Sequence, residues 1–159
     1  MVIMFNSDCV ELSVTLPLKE RCKIIPLSRH RDERGCLTVL ESNNDRFSYE
    51  RVFWIHDVPH FTQQRGGHAH RTCKELLIPV SGSLTVELSN GQETADFHLS
   101  DASSGLLIPE YIWCRLYNFS ENFVGLCFAS QSYDPAGYIH RYEDFVQEVQ
   151  LIKQQMKFI

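Results

Sequence analysis

Ser83-Leu84-Thr85-Val86-Glu87-Leu88, then Asn90-Gly91, then Thr94-Ala95-Asp96-Phe97-His98-Leu99: on either side of a turn pair, polar and apolar side chains take alternate positions. A period of two places every second side chain on one face of an extended chain, so each run reads as a half-buried strand. Asn-Gly offers the two positive-φ residues that a two-residue hairpin turn demands. Upstream, Leu76-Leu77-Ile78-Pro79-Val80 before Ser81-Gly82 reads as a buried strand. Pro79 places that strand near an edge or a bulge, because proline has no N–H to give a ladder. Downstream, residues 106–108, a Pro109-Glu110 turn, residues 112–117 and residues 123–130 continue the pattern, expected to pair in hairpin order. From about residue 10 to 130 strand signals recur at roughly eight to twelve residues, the spacing of a sandwich or barrel. The C-terminus breaks the pattern. Phe145, Val149, Ile152 and Met156 form the stripe of an amphipathic helix, about 140–157, that packs on the sheet or on a second subunit.

The chain has 159 residues, of which 43% are hydrophobic and 22% charged. That balance suits one globular domain over 1–159 and excludes disorder as the main state. A chain of this size buries roughly 70% of its unfolded surface, so folding needs no disulfide framework or structural metal. A net charge of −5 argues against a nucleic-acid binder. Residues 19–34 nevertheless hold six basic groups against three acidic ones, and Arg outnumbers Lys ten to five, favouring forked recognition of carboxylate or phosphate. No two of the six cysteines lie within four residues of each other, which excludes CxxC redox and zinc patterns and leaves them as reduced core residues. MVIMFNSDCVELS lacks the basic start and unbroken apolar run of a signal peptide, and nothing approaches the roughly 20 apolar residues of a membrane span. A cytoplasmic protein is expected.

The chemistry concentrates in Arg65-Gly66-Gly67-His68-Ala69-His70, where histidines two apart on a strand share a face. Glu75 and Gly82 follow, and Pro109 to Asn118 forms a second block. These blocks resemble the two cupin motifs, with Tyr111 where Gly is common and Cys114 where His is expected. The resemblance implies an all-β cupin jelly-roll (double-stranded β-helix) barrel over about 20–130 with a C-terminal α-helix, an architecture the strand spacing suggests independently. Further phrases appear in the order seen in the sugar 3,4-ketoisomerases: Asp32-Glu33-Arg34-Gly35, Phe47 to Val52, Arg65 to His70, Tyr117 to Ser120, Ala129-Ser130, Tyr133-Asp134 and Tyr138-Ile139. The chain resembles that family over nearly its whole length.

That resemblance implies a homodimeric, metal-free and cofactor-free enzyme. It would move the ketone of dTDP-4-keto-6-deoxyglucose from C4 to C3, on the route to dTDP-amino sugars of surface polysaccharides or antibiotics. A C3 proton beside a C4 ketone is acidic; its loss gives an enediol, and protonation at C4 leaves the ketone at C3. Imidazole suits both steps because its pKa lies near neutrality. The resemblance implies His70 as carbon base and His68 as shuttle between the C3 and C4 oxygens. It offers Arg34, Arg51, Arg65 and Arg115 to the diphosphate, Trp54 to the thymine or sugar face, and Glu75 as a further substrate contact. The family usually has a Tyr on the strand holding Phe53-Trp54, a His at Cys114 and a Gln at Glu75; Tyr49 or Tyr111 would substitute for that Tyr.

Two other readings follow from the same residues. His68, His70 and Glu75 match a two-His, one-carboxylate metal face with Cys114 as a soft fourth ligand, as in a metal-dependent isomerase or dioxygenase. A barrel that binds a nucleotide sugar without turning it over is the third. His56, His60, His98 and His140 read as surface or packing residues, and the acidic pairs Asp8/Glu11 and Asp32/Glu33 as solvated charge.

Overall fold

A computed structural model describes residues 13–42, 47–59 and 63–156. The expectations for residues 1–12, including Asp8 and Glu11, and for His60 lie outside them. In chain order the elements are α1 (Leu18–Arg21), β1 (Lys23–Pro26), β2 (Ser28–Asp32), β3 (Gly35–Val39), β4 (Arg51–Ile55), β5 (Arg65–His70), β6 (Glu75–Ser81), β7 (Leu84–Ser89), β8 (Thr94–Leu99), β9 (Ser104–Ile108), β10 (Trp113–Tyr117), β11 (Val124–Ala129), β12 (Tyr138–Ile139) and α2 (Tyr142–Met156).

The strands form two five-stranded antiparallel sheets, β1-β9-β6-β11-β4 and β12-β5-β10-β7-β8, with β2 and β3 paired in a separate hairpin. This is jelly-roll connectivity, not the hairpin order expected. β6 lies between β9 and β11, and β10 between β5 and β7. The reason is physical: alternation tells a strand which face to bury, but any partner with a matching face satisfies it. The β7–β8 turn also differs. Only Gly91 has positive φ (+86°), and the loop runs from Asn90 to Glu93. The Asn90 carboxamide oxygen accepts from the backbone N–H of Gln92 at 3.0 Å. It also accepts from the backbone N–H of Glu93 at 2.8 Å. This side-chain cap replaces the two-residue turn. Pro79 sits at a bulge, as its missing N–H requires: Val124 pairs with Ser81 and Gly125 with Pro79, leaving Val80 unpaired.

Leu84, Val86 and Leu88 of β7 point between the sheets and meet Leu106, Ile108 and Leu116, while Thr85 and Glu87 face outward. The outer face of the β5–β10 sheet is closed by α2, whose fully buried Phe145 and Val149 pack on Ala69, Trp113 and Ile139. The helix stripe therefore covers its own barrel. Phe47, Leu76 and Ile78 form a third cluster on the outer face of the other sheet.

One irregularity positions the site. β10 pairs Cys114 with His68, Arg115 with Gly66 and Leu116 with Arg65, so Gly67 is the extra residue of a bulge. Without it Arg65 and His68, three apart, would point to opposite faces; with it both face inward. Gly66 has φ +76° and Gly67 φ +73°, the left-handed backbone that glycine adopts without a steric penalty. A Cβ on Gly66 would stand 2.6 Å from the Cys114 carbonyl oxygen. Gly66→Ala is accordingly expected to cost about 1–3 kcal/mol, read as a fall in melting temperature. Gly67→Ala, with nothing within 4 Å of the added carbon, is expected to cost less, and equal losses would contradict the crowding argument.

Candidate active site

Between the sheets lies a cavity of about 200 Å³. Its polar wall comes from β5, β6 and β12: Arg65, His68, Glu75 and Tyr138. Phe53, Leu77 and Cys127 belong to its apolar side. The wall is polar where the bulge and the short β12 bring heteroatoms inward.

The two imidazoles stand edge to face, 5.0 Å between ring centroids and 87° between planes. His68 is the one on the cavity wall. The Gly66 backbone lies beside its ring and favours the charged form. Burial lowers its pKa first and neighbouring His70 adds to this, while Glu75 and the Gly66 backbone oppose them, the usual contest between desolvation and nearby charge. His70 sits deeper, 6% exposed, with Nε2 3.3 Å from Glu75 Oε1. That approach is not aligned as a hydrogen bond, so the buried Nε2 has no hydrogen-bond partner among the described residues. Glu75 is itself 8% exposed.

The structure brings together His68, His70, Glu75 and Arg65, and it separates other residues of the expected set. Arg115 points outward from β10 and forks onto Glu87, with both bonds at 2.8 Å. Arg34, at the tip of the exposed β2–β3 hairpin, is paired with Asp32. Neither lines this cavity, because both lie on faces turned away from it. Arg51 packs its guanidinium over Phe53 (5.2 Å) and Tyr133 (5.4 Å). Trp54 reaches the cavity rim and is 61% exposed. Neither substitute tyrosine reaches the cavity: Tyr49 packs edge-on against Phe128 at 4.9 Å, and Tyr111 takes positive φ (51°) in the β9–β10 turn, beside the cluster under α2. The tyrosine on the wall is Tyr138, 4.3 Å from the His70 ring and 5.1 Å from that of His68. The phrase Tyr138-Ile139 was visible in the sequence, but nothing local showed that two residues would pair with His70 and Ala69.

His68, His70 and Glu75 each offer a ligand atom, all within 4.8 Å of one another, a three-donor face that fits a divalent ion. Cys114 is not among these grouped donors; full burial, with Glu75 nearby, pushes its thiol well above the ordinary range.

The His68 shift has a consequence for stability. The fold favours the neutral ring, so the unfolded chain binds a proton more readily. This contribution is complete above the ordinary imidazole pKa of about 6.5 and is lost as pH falls below it. His68→Gln is expected to flatten the acid limb of the stability curve, measured by urea unfolding from about pH 7.5 to 5; an unchanged slope would contradict the assignment.

A family model described as FdtA, WxcM-like, C-terminal, matches residues 20–150. The TDP-4-oxo-6-deoxy-alpha-D-glucose-3,4-oxoisomerase of Aneurinibacillus thermoaerophilus is 33% identical over 124 residues, 77% of this chain and 88% of that one. The 3,4-ketoisomerase QdtA of Thermoanaerobacterium thermosaccharolyticum, solved in complex with TDP, matches with a TM-score of 0.79 and 31% identity over 82% of this chain and 96% of its own. The TDP-quinovose 3,4-ketoisomerase WlaRB of Campylobacter jejuni matches with a TM-score of 0.76 and 36% identity over 81% and 99%. Jelly roll, paired histidines and these matches agree, and the chain belongs to the FdtA, WxcM-like family.

Proposed function

We propose that the protein is a 3,4-ketoisomerase that moves the ketone of a dTDP-4-keto-6-deoxyhexose from C4 to C3 through an enediol. The observation that carries this is His68: an imidazole on the cavity wall, 5.0 Å from the ring of His70, that burial shifts toward its neutral form. A neutral imidazole is a general base near neutral pH. His68 takes the C3 proton, the C3–H electron pair becomes the C3=C4 bond, and the ring, whose proton exchanges with solvent, delivers a proton at C4. The Glu75 carboxylate offsets the charge the ring acquires. His70, between Glu75 and the ring of His68, holds that base in place. This reverses the division of roles that the family resemblance implied, and it rests on which ring reaches the cavity.

At about 200 Å³ the cavity is smaller than the roughly 300–1,000 Å³ typical of drug-sized ligands, so it takes the sugar while the nucleotide lies along the rim. Arg65 is the cation placed to meet the diphosphate there, and exposed Trp54 offers a face to the thymine. Nothing in this sequence of proton transfers calls for a metal or cofactor. A homodimer is supported by edge strand β4, which leaves Val52 41% and Trp54 61% exposed. No described helix is long and apolar enough to cross a membrane, and a net charge of −5 argues against a nucleic-acid partner.

His68→Asn is expected to lower turnover of dTDP-4-keto-6-deoxyglucose by about 10²–10⁴-fold, the usual share of a general base, with TDP affinity by calorimetry unchanged. A variant that keeps full turnover removes His68 from the reaction.

A further inference from the structure

The imidazole pair works only if both rings keep their places, and the backbone of His70 is held from outside the cavity. The β5–β10 ladder closes at the His68–Cys114 pair. Two residues further along β5, the His70 carbonyl accepts instead from the backbone N–H of Tyr111, at 2.7 Å, in the turn between β9 and β10. Tyr111 has φ +51°, a left-handed conformation that a bulky side chain rarely adopts. Such a turn needs an anchor, and the group in place is a guanidinium. Resting on the ketoisomerase reading of this cavity, we propose that Arg21, buried on α1 and away from the cavity, is a positioning residue for the reaction: it clamps the β9–β10 turn in the strained form that fixes His70.

Arg21 Nη2 donates to the Glu110 carbonyl at 2.5 Å, and Nη1 to the Tyr111 carbonyl at 3.4 Å. Those carbonyls belong to the two peptide groups on either side of the Tyr111 Cα, so one planar fork sets the rotation of both. The first of these peptide groups is also the one whose N–H reaches His70. In a trans peptide the C=O and N–H point opposite ways, so a single rigid plane carries the hold of Arg21 across to the end of β5.

This placement is unfavourable for stability alone. Arg21 is 5% exposed and Glu110 4%, and Arg21 Nε and Glu110 Oε2 have no hydrogen-bond partner among the described residues. Buried charge left partly unpaired disfavours the fold, and an apolar side chain of similar size fills such a place at lower cost. What an apolar side chain lacks is two donors for two carbonyls. α1 is fixed in turn by the loop between β7 and β8, where Glu93 Oε2 accepts from the Leu18 backbone N–H at 2.7 Å and from Asn90 Nδ2 at 3.0 Å. The route runs from that loop through α1 and Arg21 to the Tyr111 turn and His70, and none of these residues lines the cavity.

The test measures kcat and KM for dTDP-4-keto-6-deoxyglucose in the wild type, Arg21→Met, Tyr111→Gly and the double variant, each shown to be folded by its thermal transition. Arg21→Met is expected to lower kcat about 10–10²-fold, the effect of a small displacement of a reacting group, with KM and TDP affinity within about twofold of wild type. Glycine takes positive φ without a clamp, so in the Tyr111→Gly background the same Arg21→Met change is expected to cost much less kcat. Arg21→Lys keeps the charge but cannot span both carbonyls; it is expected to lose kcat in the same sense, and it carries the comparison if Arg21→Met does not fold. Equal kcat losses in the two backgrounds, or folded Arg21 variants with wild-type kcat, would overturn the positioning role. A wild-type protein that turns over no keto sugar would overturn instead the ketoisomerase reading on which that role rests.

Discussion

The site depends on a close backbone approach: Gly66 packs where a Cβ would meet the Cys114 carbonyl oxygen at 2.6 Å. That contact lets β5 carry one more residue than β10 across the same span, and the extra residue, Gly67, changes which side chains share a face. Arg65 and His68 then look into one cavity, with the Gly66 backbone beside the His68 ring. Strand register and the placement of both side chains are thus consequences of one pair of glycines.

Around that bulge the electrostatics set burial against charge. Placing two imidazoles and a carboxylate between sheets of aliphatic side chains disfavours every charged form. Burial and His70 lower the His68 pKa while Glu75 pulls the other way. The outcome is a base that is neutral at rest yet has an anion ready for the moment it becomes cationic. The same burial pushes the Cys114 thiol, on the neighbouring strand, well above its ordinary range.

Much of this architecture could be read from local pattern. The alternation in β7 and β8, the stripe of α2 and the bulge at Pro79 each depend on a few adjacent residues, and the structure contains all of them. The glycine-flanked histidine pair was equally plain. What escaped the sequence was whatever depends on residues far apart in the chain. Strand order is not coded in alternation, so hairpin pairing was expected where the chain crosses between sheets. Arg115 has the right type for a phosphate ligand, but it sits on the outward face of β10 against Glu87. Tyr138 was overlooked because a two-residue strand gives no periodic signal. His68 and His70 share a face by periodicity, yet only the packing of Glu75 and Tyr138 shows which of the two meets the cavity.

The central claim is that this cavity exchanges and moves the C3 hydrogen of a keto-deoxysugar nucleotide. Proton NMR of chelator-treated wild-type protein with dTDP-4-keto-6-deoxyglucose in D2O, followed at the C3 and C4 sugar signals, tests it most directly. The account predicts conversion to the 3-keto sugar with incorporation of deuterium on carbon. An unchanged substrate under conditions where the protein binds TDP would contradict it.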